Sequence, residues 1–372
     1  MPNQTAIPCT IFRGGTSRGP YFLASDLPEE REIQDRILTA AMGSGNEMQI
    51  NGIGGGHTLT SKVAIVGPSQ HPEADVDYLF AQVSVEEFSV DIGPSCGNIL
   101  SGVGPFAIEK GLVAAQDGET VVRVRNVNTD SLIHVVVKTP GGVIEYEGDT
   151  VIDGVPGSGA PVILNFLDVA GTKTGKLLPT GDVRDEIDGI EVSCVDAAVP
   201  MVLIPAKSLG KTGAESKAEL DADSELLARI EKIRREASLK MGLGDAAGKV
   251  IPKVALLSEP RHGGTITSRY FVPHNCHASH AVTGAICVAA CIAVPGSVAR
   301  DVAVCPEGEQ KPIRIEHPSG KIDVILEVEG ENADNLELKR AGLVRTARLL
   351  FSGQIHIPAS IWAPGATQPV EV

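Results

Sequence analysis

The chain is poor in aromatic residues, with one Trp, four Tyr and eight Phe in 372 positions. Its cores must therefore be built from Val, Ile, Leu and Ala. It also lacks basic charge. Lys and Arg number 32 against 47 Asp and Glu, giving a net charge of −15, and no basic stripe is present. That excludes nucleic acid as the expected partner, because phosphate binding needs clustered Lys and Arg. If the ligand is an anion, the charge that holds it must be local.

Long apolar runs are missing too. The longest, residues 281–294, is too short to cross a bilayer and reads as a core helix, so no membrane partner is expected. Residues 1–10 have neither the charged start nor the apolar middle of a signal peptide. The seven cysteines are odd in number, and only Cys287 and Cys291 lie close together. A disulfide framework is excluded on that pattern, and reduced thiols in a cytoplasm are expected.

What the chain does have is glycine, 41 residues, and proline, 24 residues, which points to many turns between strands. Its length makes two domains the default. Strands are predicted over 7–12, 20–23, 62–66, 78–90, 120–127, 132–139, 142–146 and 162–167. Further strands are predicted over 255–257, 265–272, 312–316, 321–329 and 336–350. Amphipathic helices are predicted over 33–42 and 223–240, the second with a stripe of Leu226, Leu227, Ile230, Ile233, Ala237 and Leu239.

Two segments match across 180 residues: Cys96-Gly-Asn-Ile-Leu-Ser-Gly-Val-Gly104 and Cys276-His-Ala-Ser-His-Ala-Val-Thr-Gly284. In each, a cysteine is followed by a run of small apolar residues that reads as a buried helix. A cysteine opening a helix sits among unpaired N–H groups, a setting that favours a thiolate and equally suits a carboxylate ligand. Each half then runs strands, cysteine helix, strands. The expected division is 1–185 and 186–372, with its boundary in the stretch 178–188.

Four groups could carry chemistry. Cys96, with Ser95 as N-cap, precedes Gly97 and Asn98, which are poor helix formers and make better sense as an anion-binding turn; otherwise Cys96 is a buried free thiol. Lys62 stands just inside an apolar strand. It is either an exposed strand residue or a desolvated amine able to act as a base. His274, Cys276, His277 and His280 lie together with Arg269 and Ser279. They suggest zinc less than anion binding, since no second ligand pair completes a tetrahedral site. Arg13-Gly-Gly-Thr-Ser-Arg-Gly19 offers guanidiniums and the hydroxyls of Thr16 and Ser17, or else is a plain hairpin turn.

Taken together these residues resemble the family of 2-methylaconitate cis–trans isomerases and 4-oxalomesaconate tautomerases. The resemblance rests on Arg13 to Gly19, Asn51-Gly-x-Gly-Gly55, Ser61-Lys62, Cys96-Gly-Asn98, Pro179-Thr-Gly181, His317-Pro-Ser-Gly320 and Val344-Arg-Thr-Ala-Arg348. It implies an α+β fold similar to diaminopimelate epimerase. Two pseudo-symmetric domains each wrap a barrel-like sheet around a central helix, and the last strand can return to the first domain. It also implies Lys62 and Cys96 as the acid–base pair, with neither cofactor nor metal.

The expected substrate is an unsaturated di- or tricarboxylate, most of all 4-oxalomesaconate in a keto–enol tautomerisation. Arg13, Thr16, Ser17, Gly97, Asn98, Arg269, Cys276, His277 and Ser279 are the expected binding residues. Allylic isomerisation of 2-methylaconitate or aconitate is the alternative within the class. A non-catalytic metal- or carboxylate-binding protein is the alternative outside it. A homodimer is compatible with the sequence.

Overall fold

The computed structural model describes residues 3–167, 169–330, 332–333 and 335–364. The chain forms two compact units. Unit 1 comprises Met1–Val151, Val155–Leu164 and the chain from Arg345 onward; unit 2 comprises Ile152–Gly154 and Asn165–Val344. The division therefore falls ahead of the stretch near residue 185 that the sequence suggested, and the chain returns to unit 1 at its end.

Unit 1 begins with β1 (Gln4–Gly14), β2 (Ser17–Leu23), α1 (Arg31–Met42), β3 (Lys62–Pro68), β4 (Val76–Val83) and β5 (Val90–Asp91). It continues with α2 (Gly97–Leu100), α3 (Val103–Glu109), β6 (Gly118–Asn126), β7 (Ser131–Thr139) and β8 (Pro161–Leu167), whose last residues enter unit 2. Unit 2 adds β9 (Asp185–Ile187), β10 (Ile190–Asp196), β11 (Pro200–Pro205), α4 (Lys217–Ala222), α5 (Ser224–Lys240), β12 (Lys253–Ser258) and β13 (Ile266–Phe271). It then has α6 (Val282–Ala293), β14 (Gln310–His317) and β15 (Gly320–Glu329). The long β16 (Glu337–Pro358) leaves unit 2 and finishes in unit 1.

The two units repeat one pairing pattern. In unit 1, β1–β2 is antiparallel, β2–β3 parallel, β3–β4 antiparallel, β4–β6 parallel and β6–β7 antiparallel. In unit 2, β10–β11, β11–β12, β12–β13, β13–β14 and β14–β15 follow the same succession. The strand order of unit 1 also returns to its start, because β16 pairs with β1 as well as standing next to β8. This is the α+β duplication expected from the sequence.

Each unit has a buried helix within its strands. In unit 1, α2 packs on β1, β2 and β3, and α3 on β3, β6 and β7. In unit 2, all twelve residues of α6 are buried, as a run with no charged side chain requires. It packs against β10, β11, β14 and β15.

A second layer lies on the other face of the strands. Alternation along a strand sends successive side chains to opposite faces. Phe22, Val63, Ile65, Ala81 and Val83 therefore join Ile37, Leu38, Ala41 and Met42 of α1 in one apolar cluster. Their strand neighbours Tyr21, Lys62, Ala64, Phe80 and Gln82 face the buried helix.

Several expected elements differ. The predicted strand 78–90 is two strands, since a turn at 84–89 separates β4 from β5. The predicted strand 142–146 is irregular. The helix after Cys96 is interrupted at Ser101-Gly102, where a Cβ on Gly102 would collide with the Tyr21 ring. Strands β9 to β11 carry no alternation that marks them in sequence. Fully buried strands read as plain apolar runs, and β11 is buried at all six positions.

Candidate active site

In unit 1 the chain leaves β5 and reaches Cys96 in extended conformation, φ −136° and ψ 100°, as the N-cap of α2. Ser95, expected as the cap, stands outside the helix, and no side chain caps it. The Cys96 carbonyl accepts from the Leu100 N–H at 2.9 Å and from the Tyr78 hydroxyl at 3.2 Å. One residue cluster further on, the Tyr21 hydroxyl donates to the Ile99 carbonyl. Both phenols are fully buried. Burial first, and the neighbouring Cys96 second, pushes each well above the ordinary phenol range. Both therefore remain protonated and serve as donors to the first turn that carries Cys96. Sequence reasoning missed them, because an isolated tyrosine in a strand has no pattern of its own.

The Arg13 to Gly19 motif is the β1–β2 hairpin, with Gly14 paired to Ser17. Its tip lies against the Cys96 turn. The Asn98 amide donates to the Thr16 hydroxyl at 3.0 Å. A Cβ on Gly15, whose φ is +50°, would collide with Asn98 Oδ1, and one on Gly14 would collide with the Asn98 carbonyl. A Cβ on Gly19 would likewise collide with the Lys62 carbonyl. The glycines are therefore needed where backbone meets backbone. Asn98 Oδ1 and Ser17 Oγ are buried and have no hydrogen-bond partner among the described residues.

Arg13 is differently placed than its motif suggests. One guanidinium nitrogen donates to the Gly15 and Thr346 carbonyls, both at 3.0 Å. Burial lowers its pKa, with nearby Arg348 adding to the effect. That nitrogen ties the hairpin to β16 rather than reaching outward. Arg348 is exposed and pairs with Glu147 at 2.9 Å, whereas Arg345 is buried.

Lys62 opens β3 and is half-buried on the helix-facing side. Its ammonium donates to Gln82 Oε1 at 2.6 Å and lies 5.1 Å from the centre of the Phe80 ring. Among the described residues no carboxylate forms an ion pair with it. The glycine loop that precedes it is anchored by buried Gln49, whose amide donates to Ser61 Oγ at 2.7 Å and accepts from the Gly56 N–H at 3.0 Å. Lys62 and the tyrosines that hold the Cys96 turn thus share one face of the unit 1 strands.

In unit 2 the second cysteine does not open a helix. Cys276 bridges to Phe271 in a tight turn, and α6 begins at Val282 with Ala281 as its N-cap. Topologically, Ala281 is the counterpart of Cys96, five residues beyond the cysteine chosen from the sequence match. Cys276 lies in the outer core with Leu220, Leu226, Ile230 and Phe271. Burial pushes its thiol up to about 11, against the lowering effect of Arg269. Arg269 is buried too, and burial lowers its pKa; its guanidinium donates to the Glu215 carbonyl at 2.8 Å and to the Ser268 carbonyl at 3.3 Å.

The histidines stand nearer the start of α6. His277 Nδ1 accepts from the Ser279 N–H at 2.9 Å. The His280 ring stacks 4.9 Å from Tyr270. Its Nδ1 lies 3.0 Å from the Ala281 carbonyl and its Nε2 3.1 Å from the Ser268 hydroxyl. The Ser319 hydroxyl donates to the Ala278 carbonyl, so the His317 to Gly320 hairpin braces this segment. His274 is exposed, 3.8 Å from Glu231. Among the described residues no three His, Cys, Asp or Glu side chains converge as metal ligands do, and no helix is long and apolar enough to cross a membrane.

Repeated strands around a buried helix are the fold of solved racemases and epimerases. A solved structure titled as a probable proline racemase superposes with TM-score 0.54 at 15% identity, covering 94% of this chain and 92% of that one. More specifically, residues 4–358 match the PrpF protein family, and the chain belongs to it. It is 55% identical to YbhH of Escherichia coli strain K12 (95% of this chain, 99% of that protein). It is 50% identical to the 4-oxalomesaconate tautomerase of Pseudomonas putida (96% and 98%). To the (4E)-oxalomesaconate Delta-isomerase of a Novosphingobium strain it is 47% identical (95% and 98%). The crystal structure of a methylitaconate-delta-isomerase superposes with TM-score 0.83 at 35% identity, covering 99% of this chain and all of that one. The chain is an isomerase.

Proposed function

We propose that the protein moves a proton along the conjugated carbon chain of an unsaturated polycarboxylate, with 4-oxalomesaconate as the substrate. Lys62 and Cys96 are the acid–base pair. The observation that carries this reading is that the Lys62 amine, in no ion pair with a carboxylate among the described residues, shares a face with the tyrosine-braced turn of Cys96. An anionic substrate supplies the missing counter-charge. Gly97 and Thr16 shape the same turn.

The reaction balances without oxidant or cofactor. One group of the pair takes a proton from the carbon next to the carbonyl, and the C–H electron pair passes into the conjugated system as an enolate. The other group, or the same one, returns a proton at oxygen or at the far carbon. Which of Lys62 and Cys96 takes the proton depends on which starts deprotonated. The substrate choice is supported by 50% and 47% identity to enzymes named for oxalomesaconate, against 35% to one named for methylitaconate. That last likeness favours allylic isomerisation of a methylated relative as the second reading.

Turnover of 4-oxalomesaconate, 2-methylaconitate, methylitaconate and aconitate by the wild type, Lys62→Ala and Cys96→Ala tests both readings. Loss of about 10²-fold or more in each variant is expected. Near-normal rates in both variants would sink the acid–base assignment. Faster turnover of a methylated substrate would move the assignment to the second reading.

A further inference from the structure

We infer that Gln82 is a positioning residue that holds the Lys62 amine in place without giving it a counter-charge; this rests on the reading of Lys62 as an acid–base group. Lys62 and Gln82 are directly opposed across β3 and β4, so their side chains leave the sheet on the same face. Gln82 Oε1 accepts from Lys62 Nζ at 2.6 Å. The Gln82 amide nitrogen donates to the Ser61 carbonyl at 2.8 Å and the Thr58 carbonyl at 3.2 Å. Carbonyls only accept, so the amide cannot turn over, and only its oxygen can meet the amine. The Phe80 ring, two residues earlier on the same face, supports the amine from a second side.

The choice of an amide has a chemical consequence. A glutamate at this position would pair with the ammonium and keep it protonated. An amide fixes the same geometry through one hydrogen bond and leaves the amine able to exchange its proton. It also leaves the positive charge to be answered by the substrate.

The other titratable groups on this face are few. Tyr21 and Tyr78 stay neutral, and Cys96 is the proposed partner. Asp91, opposite Gln82 on β5, is exposed and accepts from the Gly93 N–H at 2.7 Å.

Two isosteric variants test the inference, with kcat and KM measured across pH on 4-oxalomesaconate beside Lys62→Ala. Gln82→Glu adds the counter-charge. It is expected to move the Lys62 limb of the pH profile upward by about one unit, whichever limb that is. Gln82→Met removes the acceptor and keeps the bulk. It is expected to lower kcat about tenfold with KM within about twofold, and thermal melts of both variants verify folding. A Gln82→Glu profile superimposable on the wild type, or an unchanged kcat in Gln82→Met, overturns the inference. If Lys62→Ala is inactive in that case, the failure belongs to Gln82 alone. If Lys62→Ala turns over normally, the reading of Lys62 has failed and Gln82 falls with it.

Discussion

The hydroxyl of Tyr78, on β4, donates to the carbonyl of Cys96 across 3.2 Å. With Tyr21 holding the Ile99 carbonyl, two buried phenols fix both ends of a one-turn helix that is too short to hold itself. An isolated turn of four residues has no stability of its own. The backbone of the Cys96 turn is therefore held by strands β2 and β4 rather than by the helix alone.

Tyr78→Phe removes that donor and little else. Stability should fall by about 1 kcal/mol, the net worth of one hydrogen bond. If the phenol positions the thiol, kcat should drop about five- to tenfold while KM stays within about twofold. Steady-state kinetics and a thermal melt measure the two effects. A loss of stability with an unchanged kcat would leave Tyr78 a purely structural residue.

Gly15→Ala tests the contact between the hairpin tip and Asn98. The substitution adds a left-handed strain of about 1–2 kcal/mol and a collision with Asn98 Oδ1. Gly141→Ala is the natural control, because Gly141 has φ +65° with open space around it. Chemical denaturation should show Gly15→Ala costing at least about 1 kcal/mol more than Gly141→Ala. Equal costs would mean that only the backbone angle, not the packing on Asn98, requires glycine at position 15.

The two cysteines of the sequence repeat should differ in reactivity. Burial pushes the Cys276 thiol up to about 11. At pH 8, three units below that value, only about one molecule in a thousand carries the thiolate that reacts. Cys96 and Cys305 are half-buried, while Cys9, Cys194, Cys276, Cys287 and Cys291 are buried. Brief alkylation of the native protein, followed by peptide mass spectrometry, should find label on Cys96 and Cys305 and almost none on Cys276. Raising the pH towards 11 should increase Cys276 labelling roughly tenfold per unit as long as the fold persists. Labelling of Cys276 as fast as Cys96 at pH 8 would contradict the buried placement.

The difference between those cysteines also marks where the sequence ran out. Cysteine-to-glycine spacing aligned Cys96 with Cys276, but spacing does not show where a helix starts: Cys96 is itself the N-cap of α2, whereas the N-cap of α6 is Ala281, beyond Cys276. The repeat itself was legible, because apolar small-residue runs and strand-rich blocks recur. Its register was not, because register is settled by strand pairing: β12, β13 and α6 match β3, β4 and the α2–α3 pair. The same limit applies to Arg13. Its motif advertises a guanidinium for a ligand, yet the return of β16 brings the Thr346 carbonyl onto it.

The sequence by itself determined the class of molecule. Acidic charge and dispersed cysteines excluded other classes, the recurring cysteine runs suggested two related halves, and the ordered motifs, through their resemblance to a known isomerase family, implied an α+β isomerase. It also marked Lys62, Cys96 and the glycine hairpin, since a lysine in an apolar strand and paired glycines stand out against their neighbours. Only the tertiary structure decided what surrounds them. Tyr21 on β2 and Tyr78 and Gln82 on β4 lie in ordinary alternation and acquire meaning only when pairing places them on one face. The physical reason is that alternation fixes which residues share a face within a strand, while long-range pairing fixes which strands share it.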